Sequence, residues 1–221
     1  MPDILKIQLM AKTEAFDRYT TEYDFWYDTH KQIYEAECEA VRNFIPAGLN
    51  GIEIGAGTGR FSMPFNIRTA IDPAFSMAAC LKMKGINSVQ AAAEALPFRP
   101  CSFDFVLMVT SICFFDDIDA AFHEACRILK KNGLIIIGFI DSESELGIMY
   151  KHKKNESRFY KDAVFYSVNE ILDSLKNSGF SGFECNQAVF PESSGLQVRW
   201  TKGYGTGGFV VIKAVKENNL Y

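Results

Sequence analysis

Apolar residues fall along this chain in short continuous runs separated by amphipathic stretches. Leu49–Ile54, Ile67–Ile71, Ile86–Ala91, Phe105–Thr110 and Leu134–Ile140 each read as a buried strand. Between them lie helical patterns. His30–Ile45 puts Ile33, Tyr34, Val41, Phe44 and Ile45 on one face and stops at Pro46-Ala47-Gly48; Ala74–Lys84 stops at Gly85. The helix between the first two strands is expected to be very short, because Pro64 and Asn66 interrupt it. Asp116 or Asp117 caps a helix whose Phe122, Ala125, Cys126 and Leu129 face a core. Ser167-Val168-Asn169-Glu170 is a capping box, and its helix closes at Gly179. Two further strands, Phe183–Phe190 and Gly208–Val215, have no helix between them and therefore pair antiparallel; Trp200 and Gly203–Gly207 fall in the loop joining them. Five strands alternating with helices predict an α/β fold with a doubly wound parallel sheet.

Two segments break this rhythm. The chain up to His30 is dense in aromatic and charged residues: Phe16, Tyr19, Tyr23, Phe25, Trp26 and Tyr27. It reads either as a helix packed on the core or as a lid over a ligand. Residues 141–166 carry Lys151, His152, Lys153, Lys154, Arg158 and Lys161 among Tyr150, Phe159, Tyr160 and Tyr166. They read as an insertion over the carboxyl edge of the sheet, with solvated lysines and an aromatic substrate wall. One domain over 1–221 is expected, with 1–46 as helical cap.

Composition narrows the function. Of 221 residues, 48% are hydrophobic, ample for a core, and the net charge of −4 makes no electrostatic bid for nucleic acid or membrane. No run is long enough for a membrane span, and the start has no signal-peptide core. The six cysteines lack Cys-x-x-Cys spacing, so reduced thiols in a cytoplasmic protein are expected, with no metal site; His30, His123 and His152 also lack ligand spacing.

The chemistry centres on Gly51-Ile52-Glu53-Ile54-Gly55-Ala56-Gly57-Thr58-Gly59-Arg60. Glycines at the end of a buried strand let a ligand approach the main chain. A dinucleotide turn needs its last glycine one step later, where Arg60 stands, and Glu53 would repel a diphosphate. The pattern Glu-x-Gly-x-Gly-x-Gly resembles the first motif of the class I S-adenosylmethionine (SAM) methyltransferases. Ala93-Glu94-Ala95-Leu96-Pro97-Phe98 followed by Ser102-Phe103-Asp104 resembles the type 11 group of that family, the ubiquinone- and menaquinone-biosynthesis-like enzymes. Arg127–Gly133 resembles that group's turn before the fifth strand, with Gly133 as its left-handed residue. One departure stands out: Ala91-Ala92 replace the group's Gly-Asp.

The resemblance implies a Rossmann-like sheet of seven strands, order 3-2-1-4-5-7-6, with the last strand antiparallel. It implies SAM as cofactor, contacted by Glu53, Gly55, Ala56, Gly57, Asp72, Pro73, Met77, Ala93, Glu94 and Thr110. Glu53 would take the ribose or amino-group side, Asp72 the ribose hydroxyls, and Ala93-Glu94 would flank adenine. It implies methyl transfer to an O, N or C nucleophile of a small molecule by a monomer or homodimer. Methyl transfer from a sulfonium needs alignment more than a fixed catalytic group, so no universal catalytic residue is expected. The candidates near the methyl position are Tyr23, Thr110 and His152, with Tyr19, Trp26, Ser111, Cys113, Tyr150 and Tyr166 nearby. His152 has the most suitable intrinsic pKa for a base. Competing readings are an RNA- or protein-directed methyltransferase using the basic insertion, a non-catalytic SAM-binding scaffold, and an NAD-linked oxidoreductase.

Overall fold

The strands expected from the apolar runs all form and join one sheet. A computed structural model describes residues 12–189 and 199–218. Positions 1–11 of the expected cap and Phe190 of the expected sixth strand lie outside the described residues. In chain order the strands are β1 (Gly51–Ile54), β2 (Thr69–Asp72), β3 (Asn87–Gln90), β4 (Phe103–Val109), β5 (Leu129–Ile140), β6 (Phe180–Val189), β7 (Arg199–Lys202) and β8 (Phe209–Lys216). Their order in space is β3-β2-β1-β4-β5-β8-β6-β7. The first five are parallel; β8 runs antiparallel to β5 and to β6, and β7 antiparallel to β6.

The sheet has eight strands, not the expected seven. The addition is β7, which pairs Trp200 with Ala188 and Lys202 with Asn186 at the sheet edge. Its four residues, Arg-Trp-Thr-Lys, are too short and too charged to announce a strand, and short charged strands are how edges avoid further pairing. Two other expectations fail locally. No helix follows β1, because Gly57–Asn66 is a run of turns that closes at Asn66, φ 56°. The helix before β5 does not end in a glycine turn. It hands over directly at Leu129, and the register shift against β4 leaves Asn132, not Gly133, in the left-handed region at φ 59°. Gly133 is needed for room, since a Cβ there would lie 2.9 Å from the Lys130 carbonyl.

Strand alternation sorts side chains onto two faces. Ile52, Ile54, Val106, Met108, Ile135, Ile137, Val210 and Ile212 pack against α5 (Ile118–Ile128) and α7 (Val168–Asn177). Phe105, Leu107, Val109, Ile136, Phe209 and Val211 pack against α3 (Lys31–Arg42), through Ala36, Ala40 and Val41. Helix α4 (Phe75–Met83) covers β2 and β3. The cap helices α1 (Glu14–Arg18) and α2 (Thr20–Thr29) and the later helix α6 (Glu145–Lys153) complete the set. The expected capping box opens α7: Ser167 Oγ accepts from the Glu170 N–H, and the Glu170 carboxylate accepts from the Ser167 N–H at 2.7 Å.

The chain leaves β1 toward β2 on one side and β4 toward β5 on the other. Between the carboxyl ends of β1 and β4 lies the reversal point where open α/β sheets bind ligands.

Candidate active site

Gly55 and Gly57 occupy that reversal point with φ of 69° and 54°. The Gly55 and Ala56 N–H groups both donate to the Ile71 carbonyl, at 2.9 and 3.0 Å, which folds the turn over the end of β2. A Cβ at Gly55 would sit 2.5 Å from Ser111 Cβ; at Gly57 it would meet the Tyr23 ring at 3.1 Å. Glycine is therefore required both by backbone angle and by room.

Asp72 ends β2 beside this turn and is 7% exposed. Its Oδ2 accepts from the Gly57 N–H at 2.8 Å and its Oδ1 from the Ala74 N–H at 2.9 Å. Burial pushes its carboxyl up to about 6 against the pull of those two donors. Each oxygen keeps lone-pair capacity for a hydroxyl. The segment after β3 supplies Ala91, Ala92, Ala93 and Glu94, and Glu94 Oε1 accepts from the Asp116 N–H at 2.8 Å. These groups, with Pro73, Thr110, Phe115 and the cap residues Lys12, Thr13, Phe16 and Tyr23, line a groove of about 660 Å³ including its mouth.

The groove fits an adenosyl sulfonium. Ala91–Ala93 and Phe115 form an apolar slot suited to adenine. Asp72 offers a carboxylate to ribose hydroxyls, and the open main chain at Gly55 and Gly57 leaves room for the methionine portion.

A second chamber, about 1560 Å³ including its mouth, adjoins the groove. Phe16, Tyr23, Thr110 and Phe114 line both. Thr110 follows β4 with φ 50°, a strained backbone for a β-branched residue. The chamber walls are aromatic: Trp26, Tyr27, Tyr150, Phe159 and Tyr160. Their rings interlock, Phe16 against Phe114 at 4.9 Å between centroids and Tyr150 against Tyr160 at 5.1 Å. Tyr23 and Tyr27 hydroxyls share a hydrogen bond of 3.0 Å, and burial raises both phenols well above their ordinary value. Glu37, on α3, also reaches this chamber; burial pushes its carboxyl up to about 8.

The cap is fastened to the glycine turn by Arg60. Its guanidinium donates to the Asp24 carboxylate at 2.7 and 2.8 Å, to the Asp24 carbonyl at 2.8 Å and to Asp28 at 2.8 Å. Thr58 Oγ1 also donates to Asp24. At the other end of the cap, Asp17 Oδ1 accepts from the Ser76 N–H of α4 at 2.8 Å.

The structure brings together Gly55, Gly57, Asp72, Pro73, Ala93, Glu94, Thr110 and Tyr23 from the expected set. It does not bring Glu53, Ala56, Met77 or His152 to either cavity. Glu53 pairs with Leu107 across β1 and β4, so alternation turns it to the α3 face, below the turn. There it is 1% exposed, accepts from Ser62 Oγ, and burial pushes it up to about 8. Met77 is fully buried in α4, and Ala56 packs with Ala70, Leu81 and Ile86. His152 stands exposed on α6 with Lys151 and Lys153. Among the nearby candidates, Trp26 and Tyr150 line the chamber and Ser111 lines the groove. Ser111 is spent on the Ile54 carbonyl at 3.1 Å. Tyr19, Cys113 and Tyr166 line only other hollows. Burial pushes the Cys113 thiol up to about 12.

Phe159 and Tyr160 of the expected aromatic wall line the chamber, whereas Phe114 and Glu37 are site residues the sequence reading left without a role. Glu37 did leave a signal. It falls on the apolar stripe of its helix, four residues after Ile33 and four before Val41.

Comparison with known proteins agrees with the geometry. The family described as "Methyltransferase domain" matches residues 52–137. An uncharacterised protein of Methanocaldococcus jannaschii is 45% identical over 203 residues, covering 91% of this chain and 98% of that protein. A Mycobacterium bovis protein, also uncharacterised, is 33% identical over 175 residues, 77% of this chain but 61% of its own length. A solved Thermotoga maritima protein, described as a SAM-dependent methyltransferase and "possible histamine N-methyltransferase", is 41% identical with a TM-score of 0.88; the match covers 92% of this chain and 99% of that one. The chain belongs to the SAM-dependent methyltransferase family and is a methyl-transferring enzyme with SAM as its cofactor.

Proposed function

We propose that the enzyme methylates an O, N or C nucleophile of a small molecule held in the aromatic chamber. The observation that carries this reading is the wall shared by groove and chamber, where Phe16, Tyr23, Thr110 and Phe114 face both. Bound in the groove, SAM supplies an electrophilic methyl group on a sulfonium. Asp72 would hold the ribose hydroxyls, Ala91–Ala93 and Phe115 the adenine, and Gly55, Gly57 and Thr110 the methionine side. The interlocked rings exclude water and restrict how an acceptor can lie, which is the main requirement of an in-line displacement. Tyr23, kept protonated by burial, serves as a hydrogen-bond donor at the junction rather than as a base. The naming of the Thermotoga relative supports an amine among the acceptor classes.

In this reading the described part of the cap, 12–46, is the lid and 141–166 the substrate-side wall of one methyltransferase domain, acting in the cytoplasm as a monomer or homodimer. Lys151 and Lys153 of α6 line neither cavity, and the net charge of −4 favours a small acceptor over RNA. No helix among the described residues is long and apolar enough to cross a membrane.

Titration calorimetry with SAM and S-adenosylhomocysteine tests the cofactor assignment. Binding near micromolar Kd, about −8 kcal/mol, should be lost in Asp72→Ala. Equal binding by the variant would refute the placement of the ribose.

A further inference from the structure

We propose that the chamber selects a methyl acceptor bearing a cationic amino group, with the Glu37 carboxylate as its counter-charge and the surrounding rings as its walls. The proposal rests on the methyltransferase reading and specifies its substrate class.

Glu37 is 7% exposed, yet among the described residues its carboxyl makes no hydrogen bond and no ion pair. No fully enclosed side-chain oxygen or nitrogen among those residues lacks a partner. The Glu37 oxygens therefore keep accessible surface, and the cavity that Glu37 lines is the chamber. Buried polar groups are ordinarily satisfied, so an unpartnered carboxyl at a cavity wall calls for a ligand donor.

The surroundings specify which donor. Tyr27, Tyr150 and Tyr160 lie close enough to feel the Glu37 charge, and Trp26 and Phe159 extend the aromatic wall. The chamber holds three acids, Glu22, Glu37 and Glu156, against one cation, Arg158. That guanidinium is already engaged: it donates to Glu22 at 2.8 Å and lies 4.6 Å from the Tyr19 ring centroid. An anionic acceptor would meet net repulsion. A neutral one could not compensate the charge Glu37 takes on when it gives up the proton that burial otherwise keeps on it. An ammonium satisfies Glu37 through charge-assisted hydrogen bonds and gains cation–π attraction from the rings.

The test uses the full chain saturated with S-adenosylhomocysteine and titrated with phenethylamine or benzylamine, each beside its matched alcohol. The amines should bind at least about tenfold more tightly than the alcohols, equivalent to about 1.4 kcal/mol. Glu37→Gln should remove that preference while leaving S-adenosylhomocysteine affinity unchanged. Amine binding near neutral pH should also release a proton, read from the dependence of the heat on buffer ionisation, and this release should vanish in Glu37→Gln. Glu37→Asp should retain part of the preference, which separates charge from packing. Equal affinities for amine and alcohol, or a Glu37→Gln protein that still prefers amines, would overturn the proposal. No binding of S-adenosylhomocysteine to the wild type would instead strike the methyltransferase site reading itself.

Discussion

Three carboxyl groups, Glu37, Glu53 and Asp72, are buried around the site, and burial raises each of them, to about 8, about 8 and about 6. Below the ordinary carboxylate range they are protonated in the folded and unfolded chain alike. As pH climbs toward 8, the unfolded chain releases these protons first and the folded chain holds them, so stability falls through that window. The carboxylates held low, Asp24, Asp104, Glu124 and Glu170, act oppositely and in a more acidic range. The ligand-free enzyme should therefore lose several degrees of thermal midpoint between about pH 5 and about pH 8, with a shallower fall in Glu37→Gln. A midpoint that rises across this window would contradict the burial account. At this scale the sequence was legible where backbone demands a residue type, as at Gly55 and Gly57. It was incomplete at Glu53, whose motif position suggests a ligand contact but which lies buried against Ser62 and lines neither cavity. Glu37 was readable as a charge on an apolar stripe, but only the aromatic chamber it lines gives that charge meaning.

Among the elements, α2 matters most for the site because it carries Tyr23 over Gly57. Its inner face is held by Tyr27, packed against Tyr34 and Phe61, and its outer face by the Arg60 clasp on Asp24 and Asp28. Arg60 occupies the position where a dinucleotide turn would have its last glycine, so the departure from that pattern has a structural use here. Arg60→Ala should cost about 1–2 kcal/mol, the figure held down by partial exposure of the pairs. It should also weaken SAM binding several-fold by freeing the lid. Denaturant unfolding and calorimetry on the same variant check both; full retention of SAM affinity would show that the lid is held by other contacts. The helix and strand positions were legible from periodicity, but the junctions were not. The α5–β5 handover uses Asn132 in a bulge, a choice set by register with β4 and invisible in Arg127–Gly133 alone.

In the whole molecule, alternation of apolar runs and helices was enough to read a doubly wound sheet, and the lack of a helix before β8 was enough to read an antiparallel closure. The added edge strand β7 could not be read, because its four residues have the composition of a loop. The site's architecture was half legible. The cofactor groove is built from motifs near in sequence to strand ends, whereas the chamber is assembled from α2, α3, α6 and the segment after it, which no local pattern links. A crystal structure of the enzyme with S-adenosylhomocysteine is the most direct test of the account. It should place the ribose hydroxyls on Asp72, adenine along Ala91–Ala93, and the sulfur at the wall formed by Tyr23 and Thr110, facing the aromatic chamber. A ligand whose sulfur points away from that chamber, or whose ribose lies off Asp72, would contradict it.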